Sequence, residues 1–103
     1  MKTSPRSHKL ASIIGELLPP LVEKFLTPNQ VGFLTITAVE VSGDLGLIDV
    51  FINVMGANSK DAIKSLAKVT PKIRFELLKK VQLRREFILR WKIDQGRMNM
   101  DKF

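Results

Sequence analysis

The sequence predicts an α+β domain in which a small sheet carries its helices on one face. Three observations predict it. Apolar residues near the N-terminus recur every three or four positions, which is the helical period. Two segments rich in β-branched residues flank the short turn SGDLG, as a hairpin requires. A basic amphipathic stretch then leads into a last segment that alternates with period two. The resulting order is helix, strand, strand, helix, helix, strand, and a two-layer packing is the natural way to bury one face of such a sheet.

The first helix is expected from Ser7, with Leu10, Ile13, Ile14, Leu17, Leu18, Leu21, Val22 and Phe25 facing inward. Pro19 and Pro20 interrupt the pattern, so the helix either bends there or stops near Leu18 and restarts. Thr27, Pro28 and Asn29 make a turn into the strand VGFLTITAVEVS. Along that strand the alternation slips, with Leu34 and Ile36 in one phase and Val39 and Val41 in the other. A bulge near Thr37 and Ala38 would keep both pairs on one face. In GLIDVFINVMG, Ile48, Val50, Ile52 and Val54 form one face, while Asp49, Phe51, Asn53 and Met55 form the other. The next helix opens at Asn58 or Ser59, both good caps, with Asp61 in its first turn. Ala62, Ile63, Leu66, Ala67 and Val69 give it a buried stripe. At Val69, Thr70 and Pro71 a helix junction is expected, with Thr70 capping a second helix and Pro71 at its first position. A final strand is read from about Leu83 to Asp94, with Trp91 on its core face.

The chain has 103 residues, enough for one domain, which is placed at residues 7–95 with flexible ends at 1–6 and 96–103. No cysteine is present, which excludes disulfides and thiolate metal sites. No apolar run reaches the roughly 18 residues of a membrane span and the N-terminus lacks a signal-peptide core, so a soluble cytoplasmic protein is expected. The net charge of +7 is unevenly distributed. Residues 1–59 hold four basic and five acidic side chains, a balance of −1, whereas residues 60–103 hold thirteen and five, a balance of +8. A localised excess of this kind favours a surface for a polyanion.

Lys60, Lys64 and Lys68 are four residues apart, so they drift only about 40° per step around a helix and form one stripe. Lys72, Arg74, Lys79, Lys80, Arg84 and Arg85 extend the positive charge, and these nine residues are the candidate nucleic-acid-binding set. A solvated helix face uses the same spacing, so periodicity alone does not separate the two. Catalysis has little support: His8 is the only histidine, and no motif assembles Asp44, Asp49 or Asp94 into an acid–base pair. No phosphate-binding glycine loop is present, and no enzyme activity, metal, cofactor or small-molecule substrate is expected.

The predicted order matches the type II K-homology fold, a small mixed three-stranded sheet whose helix pair meets at a GxxG loop that clamps a nucleic-acid backbone. Here the junction carries no GxxG. The segments LTITAVEVSGDL (34–45), GLIDVFINVMG, AIKSLAK, IRFELLKKVQLR and WKID, in this order and spacing, resemble the ribosome-binding factor A family over nearly the full length. The resemblance implies a monomeric, non-enzymatic assembly factor that binds the small ribosomal subunit and its rRNA during maturation and leaves before translation. In that family the junction commonly reads Ala-x-Gly, where this chain has Val69, Thr70 and Pro71. A proline common early in the last strand is replaced by Phe87, and the double proline at 19 and 20 is atypical. Two other functions fit the residues: a protein–protein adaptor using the open sheet face around Phe51 and Met55, and a free-standing K-homology module for single-stranded nucleic acid.

Overall fold

A computed structural model describes residues 5–94. Its elements are α1 (Pro5–Phe25), α2 (Pro28–Val31), β1 (Phe33–Val41), β2 (Leu47–Met55), α3 (Ser59–Lys80) and β3 (Ile88–Ile93). The sheet order is β1-β2-β3, with β1 antiparallel to β2 and β2 parallel to β3. A parallel pair needs a crossover longer than a hairpin turn, and α3 supplies it. The tail expected at 96–103 lies outside the described residues, and α1 already begins at Pro5.

The slip in the first strand becomes a bulge at Thr37, because the pairing shifts between Ile36 and Ala38. Leu34 and Ile36 stand opposite Val54 and Ile52, and beyond the bulge Val39 and Val41 stand opposite Val50 and Ile48. One extra residue thus keeps both phases of the strand on the helix-covered face. That face, with Leu89, packs against Ile14, Leu18, Leu21 and Val22 of α1 and against Ala62, Leu66, Ile73 and Leu77 of α3. Ala67 is a correction to the predicted stripe. It is exposed, since it lies about 140° around the helix from Ala62.

Three prolines lie inside helices, where the sequence suggested interruptions. Helix α1 runs through Pro19 and Pro20, and α3 runs through Pro71 as one element. The predicted pair of helices meeting at Val69, Thr70 and Pro71 is therefore a single 22-residue helix, preceded in the chain by the short α2. For Pro20 and Pro71 the physical reason is the side of the helix on which the proline sits. A proline deprives the carbonyl four residues earlier of its N–H partner. For Pro71 that carbonyl belongs to exposed Ala67, and for Pro20 to exposed Glu16, so water can satisfy what the helix leaves open. Thr27, expected in a turn, instead caps α2, its backbone N–H donating to Gln30 Oε1 at 2.8 Å. The last strand begins at Ile88, because residues 84–87 close a turn in which Phe87 N–H donates to Arg84 O at 3.0 Å.

Candidate nucleic-acid interface

The N-terminus of α3 is fixed by Asn58, whose Oδ1 accepts from Lys60 N at 2.9 Å and Asp61 N at 3.3 Å. From that start the helix buries Ala62, Leu66, Ile73 and Leu77, and its phase turns Lys60, Lys64, Lys68 and Lys72 to solvent. No described carboxylate forms an ion pair with any of these four lysines, nor with exposed Lys80 and Arg85. Lys79 is exposed as well, 3.4 Å from Glu76 Oε2 and 4.6 Å from the Phe75 ring centroid. The outward face of α3 is thus a row of ammonium groups of which, among the described residues, only Lys79 has an ion-pair partner.

Two arginines of the predicted set are engaged elsewhere. Arg74 donates to Phe87 O at 3.1 Å and Arg85 O at 2.8 Å, and its guanidinium stacks 4.6 Å from the Phe87 ring centroid. It pins the α3–β3 connection to the helix. Arg84 pairs with Glu86 at 2.9 Å and with Asp44 at 3.5 Å, tying the same connection to the hairpin turn. Sequence reasoning missed two members of the basic face. Lys24 of α1 reaches Glu76 at 3.9 Å, which brings a cation from a distant segment alongside α3. Phe75 is 61% exposed beside the lysines. A signal for Phe75 was present, since it lies three residues after Lys72 and four before Lys79.

Thr70 does not cap a helix. Its hydroxyl donates to Leu66 O at 2.7 Å and accepts from Trp91 Nε1 at 2.9 Å. Trp91 takes the inward position its phase predicted, and Thr70 satisfies the one polar atom its side chain brings there. The predicted junction thereby fastens the middle of α3 to β3.

The open sheet face has a different chemistry. Asp49 is buried to 3% exposure on this face, gripped by Arg90 at 2.7 and 3.0 Å and by Lys92 at 3.2 Å. Burial pushes its carboxyl pKa up, but the hydrogen bonds and charges of Arg90 and Lys92 outweigh that and hold it below the ordinary carboxylate value. Lys92 also stands 5.8 Å from the half-buried Phe51 ring. A folded-state pKa below the unfolded one means that this stability is present above about pH 4 and is lost as pH falls through the lowered value. Asp49→Asn is expected to cost about 1–2 kcal/mol at pH 7, with the partners' exposure limiting the loss. Urea unfolding at pH 7 and pH 3 checks this, because the gap between variant and wild type should narrow at the lower pH.

Among the described residues no group of three or more His, Asp or Glu side chains could hold a metal ion, and no helix is long and apolar enough to cross a membrane.

A mixed three-stranded sheet covered by helices on one face defines an α+β domain with a KH-like fold. Solved structures share that fold. The crystal structure of ribosome-binding factor A from Thermus thermophilus superposes with a TM-score of 0.77 at 19% identity, covering 87% of this chain and 97% of that one. A solution structure from Thermotoga maritima, of a candidate ribosome binding factor A, gives 0.75 at 24% identity, covering 93% of each chain. In sequence, the profile of the ribosome-binding factor A family matches residues 6–103. Ribosome-binding factor A of Natranaerobius thermophilus is 34% identical over 93 residues, covering 88% of this chain and 71% of that protein. Its counterpart in Desulfitobacterium hafniense is 35% identical over 81 residues, covering 77% of this chain and 65% of that protein. The chain belongs to the ribosome-binding factor A family.

Proposed function

We propose that this protein is a ribosome-binding factor that assists maturation of the small ribosomal subunit by binding its rRNA through the outward face of α3. Ribosome association follows from family membership. The observation that carries the finer reading is the row Lys60, Lys64, Lys68 and Lys72, exposed along one helix and without a counter-charge among the described carboxylates. Phosphates neutralise such a row and release their counterions, which gives an affinity that falls steeply with salt. Lys79, Lys80 and Arg85 extend the surface, whereas Arg74 and Arg84 are engaged in holding the α3–β3 connection.

The test is cosedimentation with purified small subunits at two salt concentrations. Wild type should bind at low salt and weaken as salt rises. Lys64→Ala/Lys68→Ala should bind about tenfold or more weakly, with a shallower salt dependence by roughly 1–2 in log–log slope. Binding indifferent to both lysines sinks the assignment. One observation favours a second reading, a protein contact on the open sheet face: Phe33 and Met55, 75% and 66% exposed, face each other across the β1–β2 ladder. Under that reading the complex survives nuclease and moderate salt.

A further inference from the structure

We infer that Phe75 is a stacking platform for an unpaired base of a single-stranded RNA segment, with Lys68 and Lys72 holding the phosphates beside it. The inference rests on the RNA-binding reading above and specifies the ligand chemistry of one place on that surface.

Among the large apolar side chains exposed in the described fold, Phe75 is the one set among the lysines. At about 100° per residue it lies about 20° around α3 from both Lys64 and Lys68, and about 4.5 Å along the axis from Lys72. Aromatic rings interleaved with ammonium groups are what single strands require, because the ring takes a base of any identity and the cations take the backbone. A duplex keeps its bases stacked inside and offers nothing to such a ring.

The ring borders a concavity on each side. Toward α1 it lines a cleft of about 350 Å³ with Lys24, Phe25, Pro71, Lys72 and Glu76. Toward the end of α3 it borders a wider hollow of about 840 Å³ that reaches Leu83 and Arg85. A strand crossing Phe75 therefore has room for the nucleotides before and after the stacked base. The Glu76 side chain is only 18% exposed and sits between Lys24 at 3.9 Å, on the cleft, and Lys79 at 3.4 Å, on the wider hollow. The Phe75 ring takes the base, and the phosphates run along Lys68 and Lys72, which form no ion pair with a described carboxylate. Cations already rest against the rings, Lys79 4.6 Å from Phe75 and Lys24 and Lys72 5.3 and 5.9 Å from Phe25.

The test uses the full chain and a single-stranded RNA oligonucleotide of about ten nucleotides with one internal 2-aminopurine, beside the same sequence as a duplex. Wild type should bind the single strand at low salt and quench the 2-aminopurine as it stacks. Phe75→Ala should weaken single-strand binding roughly 5- to 100-fold and abolish the quench, with duplex affinity and salt slope unchanged. Phe75→Leu, which keeps an apolar side chain without a π face, should behave like Ala, whereas Phe75→Trp should bind as wild type does. Lys64→Ala/Lys68→Ala should weaken binding and flatten the salt slope, yet leave the quench intact at saturating protein. Equal single-strand affinity of wild type and Phe75→Ala overturns the stacking role alone. A Leu variant as good as Phe also overturns it and points to an apolar protein contact. Failure of wild type to bind either RNA at low salt overturns the RNA-binding reading together with it.

Discussion

Replacing Gly32 with Ala is expected to lower the thermal midpoint by on the order of 15–30 °C. Gly32 joins α2 to β1 at φ 67° and ψ −153°, a region of backbone space that is essentially reserved for glycine. A Cβ added there would lie 2.4 Å from Met55 O, 2.9 Å from Ala57 Cβ and 3.0 Å from Ala57 N. Two of those neighbours are backbone atoms at the end of β2 and the start of the connection to α3, so neither can move aside as a flexible side chain would. Backbone strain of about 1–3 kcal/mol and a steric term of similar size then act together. Their sum is a large share of the roughly 5–15 kcal/mol that stabilises a domain of this size. Thermal melting followed by circular dichroism checks it, with Gly15→Ala as the control. Gly15 lies inside α1, and its added Cβ would meet only Val39 Cγ2 at 3.8 Å, so that substitution should be neutral or stabilising by up to about 1 kcal/mol. A Gly32→Ala midpoint within about 5 °C of wild type would show that this corner of the fold yields.

Phe87→Ala is expected to cost about 3–5 kcal/mol, seen as a fall in the urea midpoint on the order of 2 M. Phe87 is 1% exposed and is the largest of the fully buried side chains. Its loss leaves a cavity at the one place where the end of α3, the connection and β3 converge. The guanidinium of Arg74 rests on the ring, and its hydrogen bonds to Phe87 O and Arg85 O hold the connection in place. Removing the ring therefore loosens the segment that presents Arg84 and Arg85. Unfolding monitored by Trp91 fluorescence measures the loss, and an effect below about 1 kcal/mol would mean that the connection collapses to fill the space.

The bulge at Thr37 was legible because it follows from a parity rule: two apolar pairs out of phase can share a face only if one residue is skipped. The cap at Asn58 was legible for a similar reason, since the side chain and the N–H groups it satisfies are neighbours in the chain. The behaviour of the prolines was not. Whether a proline breaks a helix depends on what surrounds the carbonyl it orphans, and for Pro20 and Pro71 that residue faces water only because the opposite side of the helix is buried. The role of Thr70 was hidden for the same reason. Its partner, Trp91, is 21 residues away in sequence, so a capping role looked equally plausible locally.

The lysine row illustrates the division most clearly. Its four-residue spacing and the +8 balance of residues 60–103 came from the sequence, as did the buried phase of α3 that turns the row outward. Which cations remain free to meet a ligand was decided by tertiary structure. Arg74 and Arg84 look equivalent to their neighbours in a count of charges, but the backbone carbonyls and carboxylates that bind them come from segments folded against the helix. Local periodicity fixes the direction in which a side chain leaves its helix. Only the packing of distant segments fixes what it meets there, so the sequence determined the face and the fold selected the residues on it.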